Sequence, residues 1–347
     1  MSIQNFLYTV IVNDTMYFFG EYDGLFYEVS IDDLSARIIP LEKGVDYRGS
    51  SVIGTDESFV YAILQWGKRI LRYDTKEKQA EYNLIGYERY ALHAYGAVIK
   101  DGNYFRIYPI QSSSVIVIDY NTLEVVEEIK GKPKNCEPCY VGTRDMDAID
   151  FVFSNQSKEL CSYKGQKMQK EYSLMEIESK VISISYFNRS LFVLCEDGNV
   201  YRIDSEHNTC LITGFSHENS EKYFGMIYVV DEKIWLLPWL GEEIVCYDLK
   251  NNTSCVYTGY PKDFSYSDNF GSPKYTTIVR YGHKVFFNVR AGNYMMCMDD
   301  KGKVDWRRIQ WPLSNDIIKS ILYRDNNVLN EKDVSLVDYI DMILSDY

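Results

Sequence analysis

Histidine is nearly missing from this chain: four stand among 347 residues, at His93, His207, His217 and His283, and no two are paired at metal-ligand spacing. No metal site is expected. The chain also lacks a GxSxG elbow, a phosphate loop and a dinucleotide fingerprint, so it carries none of the marks of serine hydrolases or nucleotide enzymes, and no cofactor is expected. No long run of lysine and arginine offsets the formal net charge of −13. DNA or RNA would be repelled over most of such a surface, and an anionic membrane surface is disfavoured for the same reason. No apolar stretch approaches the length of a membrane span. The segment from Met1 to Val12 has no basic region, and Asn13-Asp14 ends its apolar run early. It reads as a strand and not as a signal peptide, and the expectation is a cytoplasmic, bacterial protein.

Cysteine is present in eight copies. Five of them, Cys161, Cys195, Cys246, Cys255 and Cys297, lie inside apolar strand patterns, where a free thiol behaves as a small hydrophobe. Cys136-Glu137-Pro138-Cys139 is a CxxC, but it supplies two ligands where zinc usually takes four, and no second pair completes it. It reads as two loop thiols.

What the chain has in plenty is apolar and aromatic residues, 46% and 15%, enough for a folded core. Tyrosine occurs 31 times against 8 prolines. Tyrosine favours strands and also serves at binding surfaces, because its ring has an apolar body and a polar tip.

These residues follow a repeat. Its clearest mark is a short apolar strand that closes on aspartate: Leu71-Arg72-Tyr73-Asp74, Ile116-Val117-Ile118-Asp119, Tyr201-Arg202-Ile203-Asp204, Val245-Cys246-Tyr247-Asp248 and Met296-Cys297-Met298-Asp299. Tyr27-Glu28-Val29-Ser30 and Cys161-Ser162-Tyr163-Lys164 fill two further places in the series. Successive copies are 44, 45, 45, 40, 44 and 51 residues apart. A period of about 45 residues suits four strands per unit of a propeller. Around positions 225–258 all four strands are legible, separated by turns at Asp231-Glu232, Gly241-Glu242 and Asn251-Asn252. Many of the runs are apolar throughout and do not alternate, which implies burial on both faces, as when one sheet is stacked between two others.

The expected fold is therefore all-β: a seven-bladed β-propeller of four-stranded antiparallel blades over residues 1–313, followed by a short C-terminal helical tail over 314–347. The units run roughly 6–43, 47–85, 91–130, 136–175, 180–215, 222–264 and 275–313. All seven keep one strand order, so ring closure is expected to rest on side-chain packing, with a closing strand swapped from the first residues as the alternative. In the tail, 316–322 reads as a short helix. Asn330 and Asp333 then resemble a cap before a mostly one-sided stripe of Val334, Val337, Ile340, Met342, Ile343 and Leu344. That helix is expected to pack on the propeller, with partner docking as the sharper reading.

Strands closing on Tyr73-Asp74, Ile203-Asp204 and Tyr247-Asp248 resemble those of bacterial β-propellers of the broad kelch-like and quinoprotein-like kind, and the resemblance covers nearly the whole chain. It implies the fold. There is no Gly-Gly pair, no Trp-Asp dipeptide and no Ser-x-Asp-x-Gly-x-x-Trp box, so it carries over no functional residue.

Candidate site residues lie in the connections between units, which such a fold gathers on one face around its channel. These hold Tyr47 and Arg48; Tyr87, Arg89 and Tyr90, followed by His93; and Tyr223. The longest connection holds Tyr260, Phe264, Tyr266, Phe270 and Tyr275, and hairpin tips add Trp66 and Trp239. Converging rings with arginine describe a recognition surface, since rings stack on sugars or anchor peptides and arginine grips carboxylates. The competing reading is that these rings pack between blades. The leading functional reading is a non-enzymatic recognition or scaffold propeller for a protein, peptide or glycan ligand. The alternative is a carbohydrate-active hydrolase or lyase with carboxylates, or tyrosine, arginine and histidine, at the channel mouth.

Overall fold

The computed structural model describes residues 8–311 apart from 21–23, 43–44, 46, 48, 65–68, 85–94, 110–113, 130–139, 145–148, 165–166, 216–223, 240, 242, 265–273 and 290–293. The expected tail helices, the CxxC and any swapped strand from the first residues lie outside the described residues.

Within them the chain is a seven-bladed β-propeller. Each of the seven sheets is built from four consecutive strands, paired antiparallel in chain order. The blades span 10–39, 51–84, 95–129, 140–173, 181–214, 224–256 and 275–308. The first strand of each blade is innermost, and the inner strands of neighbouring blades abut around the channel. In blades two, three, five, six and seven this inner strand carries an extra residue close to its start. Such a bulge bends the strand where it turns down from the rim.

Residue type follows position in the blade. The second strand of blade five, Ser190–Cys195, is buried at every position, because sheets cover it on both faces. The outer strand of blade six, Thr253–Val256, is exposed at every position.

The repeated aspartate closes the third strand, and its task is local. One carboxylate oxygen of Asp74 accepts the Lys76 and Glu77 amides at 2.8 and 3.1 Å. Asp119 takes those of Asn121 and Thr122, and Asp248 those of Lys250 and Asn251. Asp204 and Asp299 hold turns one residue wider, reaching Asn208 and Lys303. Each is a side chain closing a turn on its own backbone, which is why the mark recurs at blade spacing.

Because strands alternate in direction, the two ends of the ring differ. One end gathers the hairpins between first and second and between third and fourth strands. The other, the connection end, gathers the turns from second to third strand and the links from each outer strand to the next inner one.

Seven clusters of buried side chains fill the spaces between neighbouring blades. Blades two and three, for example, meet through Tyr61, Ile63 and Ile70 against Phe105, Ile107 and Ile118. The seam between blades five and six has a further device. Inner-strand amides of Ile227 and Val229 donate to the hydroxyls of Ser183 and Ser185 on the neighbouring blade, at 3.1 and 3.0 Å. Donors that an inner edge strand would otherwise leave unpaired are thereby used.

Blade seven closes on blade one by packing, as expected: Met16, Phe18 and Tyr27 lie against Phe286, Met295 and Trp311. Packing is not the whole of it. Gln310 forms a parallel bridge with Ser35, its amide donating to the Leu34 carbonyl and its carbonyl accepting from Ala36, both at 2.9 Å. Arg307 donates to the carbonyls of Ile31 and Asp32, and Asn288 donates to the Thr9 hydroxyl at 2.5 Å.

Candidate functional site

Of the residues singled out in the sequence, Tyr47, Trp239 and Tyr275 are described. Arg48, Tyr87, Arg89, Tyr90, His93, Tyr223 and Phe270 lie outside the described residues, as do Trp66 and Tyr266. Tyr47 and Trp239 belong to the same end of the ring, Tyr47 in the link into blade two and Trp239 after the second strand of blade six. Tyr47 is buried between blades one and two, its ring stacked on Phe19 at 6.3 Å. Its hydroxyl sits 3.2 Å from the Glu42 carbonyl and 3.3 Å from the Tyr82 hydroxyl, and burial pushes its pKa far up. Trp239 is half-buried and lies over Gly225, where an added Cβ would stand 2.8 Å from its ring. Tyr275 is in the core between blades six and seven.

The described residues do assemble a ring cluster, at the outer rim of the connection end and not at the channel mouth. Beyond Val256 the chain leaves the outer strand of blade six and crosses toward blade seven. Tyr257 holds the start of the crossing: its amide donates to Ile244 at 2.8 Å, and its hydroxyl accepts from the Trp306 indole at 3.1 Å. Tyr260 stacks on Phe264 at 5.1 Å and lies 5.5 Å from the Trp306 ring, while Phe264 is 4.6 Å from Trp306. Tyr294 continues the row, 6.2 Å from Phe264. All five rings are half-buried, so each keeps an open edge.

A polar pair borders them. Asp263 accepts from the Tyr294 hydroxyl at 2.8 Å and from the Arg308 guanidinium at 2.9 Å, and Arg308 also lies 5.5 Å from the centre of the Tyr294 ring. The Tyr294 hydrogen bond, assisted by Arg308, holds the Asp263 carboxyl below its ordinary range. Rings, a guanidinium fork and a carboxylate on one exposed strip suit recognition.

Sequence reasoning found Tyr260 and Phe264 but placed them at the channel mouth. It missed Trp306, Tyr294 and Arg308, which belong to the third and outer strands of blade seven. Trp306-Arg307-Arg308 near the end of the last unit was the available signal.

The described tyrosines and carboxyls whose pKa is shifted, those of the strip included, move away from acid–base work. Every described tyrosine with a resolved shift is raised, burial being the largest cause in each; Tyr61 reaches about 12. Two tyrosines stand beside arginine, Tyr108, whose hydroxyl meets that of Tyr163 at 2.8 Å near Arg106, and Tyr228, whose hydroxyl accepts from Arg280 at 2.9 Å, and burial raises both. The shifted carboxyls, Asp33, Asp204, Asp248 and Asp263, all move down, through hydrogen bonds to neighbouring turn residues or to Tyr294. A general acid at neutral pH needs the opposite direction.

No family model matches the chain, and neither does any curated protein. Solved structures do share its fold. A catalytically inactive virginiamycin B lyase from Staphylococcus aureus with quinupristin superposes with a TM-score of 0.58 at 13% identity, over 84% of this chain and 93% of the lyase. YCF48 from Cyanidioschyzon merolae gives 0.56 at 10% identity, over 84% and 94%. PorZ of Porphyromonas gingivalis, a bacterial surface component of the type-IX secretion system, gives 0.51 at 12% identity, over 90% of this chain and 39% of PorZ. At such identities the likeness establishes the propeller and nothing finer.

Proposed function

We propose that this protein is a non-enzymatic recognition or scaffold propeller that takes a protein, peptide or glycan ligand on half-buried rings at its connection end. The observation that carries the reading is the strip of Tyr257, Tyr260, Phe264, Tyr294 and Trp306 bordered by Arg308 and Asp263. Aromatic and arginine side chains with open edges dominate recognition surfaces. The raised tyrosines and lowered carboxyls support a binding role over acid–base catalysis.

The test is a screen of the full chain against peptide and glycan collections, repeated with Phe264→Ala and Arg308→Ala. Loss of about tenfold or more in affinity, the effect of removing a hot-spot residue, supports the reading. A ligand captured equally well by both variants removes the strip from it.

A second reading, an enzyme at the channel mouth, draws support from the fold shared with virginiamycin B lyase. Incubation of the chain with quinupristin and with oligosaccharides tests it. Turnover of either would replace the binding reading.

A further inference from the structure

In blade six the third strand, Val245–Asp248, pairs with the outer strand, Thr253–Val256, so that Cys246 stands directly opposite Cys255. Among the described residues no other cysteine faces a cysteine across a strand pair. Cys161 is opposite Val152 and Glu171, Cys195 opposite Val181, Cys210 opposite Arg202, and Cys297 opposite Phe286 and Asp305.

Directly opposed residues of an antiparallel pair project to the same side, with Cα atoms about 4.5 or 5.5 Å apart according to the type of pair. Either spacing lies within the roughly 4.4–6.8 Å that a disulfide spans. Both thiols are free. Burial, and behind it the neighbouring Cys255, pushes the Cys246 thiol up to about 11. Their access differs. Cys255 is exposed on a strand whose every residue is exposed, while Cys246 is buried in the cluster with Met296 and Phe287 of blade seven. The outer strand has one bonded neighbour, so it can settle against the third strand without disturbing another.

We propose that Cys246 and Cys255 are a dithiol modification site that reacts with low-molecular-weight disulfides and closes to an internal disulfide between the third and outer strands of blade six. The Cys255 thiolate, its proton given to water, attacks one sulfur of the small disulfide. That S–S bond breaks, a small thiolate leaves, and Cys255 carries a mixed disulfide. The Cys246 thiol gives up its proton, attacks the Cys255 sulfur and expels the second small thiolate. Two electrons pass from the protein to the small disulfide, which ends as two thiols after taking up the two protons. The internal bond ties the outer strand to its neighbour immediately before Tyr257. The proposal rests on the pairing within blade six and requires no ligand at the rim.

The experiment treats the full chain with a glutathione redox series, quenches by alkylation and maps peptides. Trypsin cleaves after Lys250 and Lys262, which puts the two cysteines on separate peptides. The expected product is those two peptides joined, and reduction by excess thiol restores both alkylated forms. Cys210, exposed with Arg202 opposite it, is the internal control and is expected to stop at the mixed disulfide. In Cys246→Ser the mixed disulfide at Cys255 is expected to accumulate. In Cys255→Ala, an exposed change that does not threaten folding, Cys246 is expected to stay unmodified. A wild-type protein that holds the mixed disulfide at Cys255 without joining the peptides overturns the proposal. So does a wild type unmodified at both positions while Cys210 reacts.

Discussion

The two ends of the ring are built by different means. At the hairpin end one local solution is repeated: an aspartate closes the turn, and the next amide donates across to the neighbouring hairpin. The Thr75 amide reaches the Ser58 carbonyl at 2.9 Å, Tyr120 reaches Asn103 at 3.0 Å, and Leu249 reaches Glu232 at 2.9 Å. At the connection end the contacts differ from place to place. Asn155 clasps the backbone of Val181 from the neighbouring blade, accepting its amide at 2.8 Å and donating to its carbonyl at 2.7 Å. Gly198, in the left-handed region at φ 83°, lies under the Phe215 carbonyl. The 257–264 crossing is held by Trp306. One end is a repeated scaffold and the other a set of individual surfaces, as expected where a fold carries its function on loops.

Substitutions at the two ends sharpen this contrast. Gly198→Ala has the largest expected effect, about 3–4 kcal/mol, because a side chain there is strained by its φ and its Cβ would stand 2.3 Å from the Phe215 carbonyl oxygen; chemical denaturation measures it. Asn155→Ala follows at about 2–3 kcal/mol, since it strips the partners from two backbone groups of a buried residue. A loss no larger than that of a hairpin-end aspartate would break the comparison. Ser185→Ala, which orphans the Val229 amide at the seam of blades five and six, should cost about 1–2 kcal/mol. Asp74→Ala and Asp119→Ala should each shift the unfolding midpoint less than these, and their double variant should show the sum of the two, because each cap is local.

The smallest effect is one of pH. Hydrogen bonds from Ser35 hold the exposed Asp33 carboxyl at about 2, and Asp204 and Asp248 are lowered by their turn partners. Folded values below the unfolded one mean that the contribution is complete above the ordinary carboxylate pKa of about 3.9. It is lost as pH falls through the folded value. Stability of Asp33→Asn measured down to pH about 2 should therefore fall less steeply than that of the wild type.

The contrast also accounts for what could be read in advance. Blade number and strand order were legible because an aspartate bonded two residues ahead leaves its mark in adjacent letters, as at Asp248 and Lys250. The roles of individual rings were not. Tyr47 reads as a ligand contact or as a core ring with equal chemistry, and only Phe19 and Tyr82, each about thirty residues away, decide it. Tyr260 and Trp306 meet across a still longer separation. The seam serines, Ser183 and Ser185, sit in an ordinary strand pattern, and Gln310 has no neighbouring signal that it bridges to Ser35.

That bridge imposes an order in time. Met16, Phe18 and Tyr27 are covered by Phe286, Met295 and Trp311, which are made more than 250 residues later. A chain emerging from the ribosome holds an uncovered apolar face on its first blade until the seventh has been synthesised. For that interval blade one is the adhesive part of the nascent chain, and the cell must shield it or synthesis must outrun its encounters.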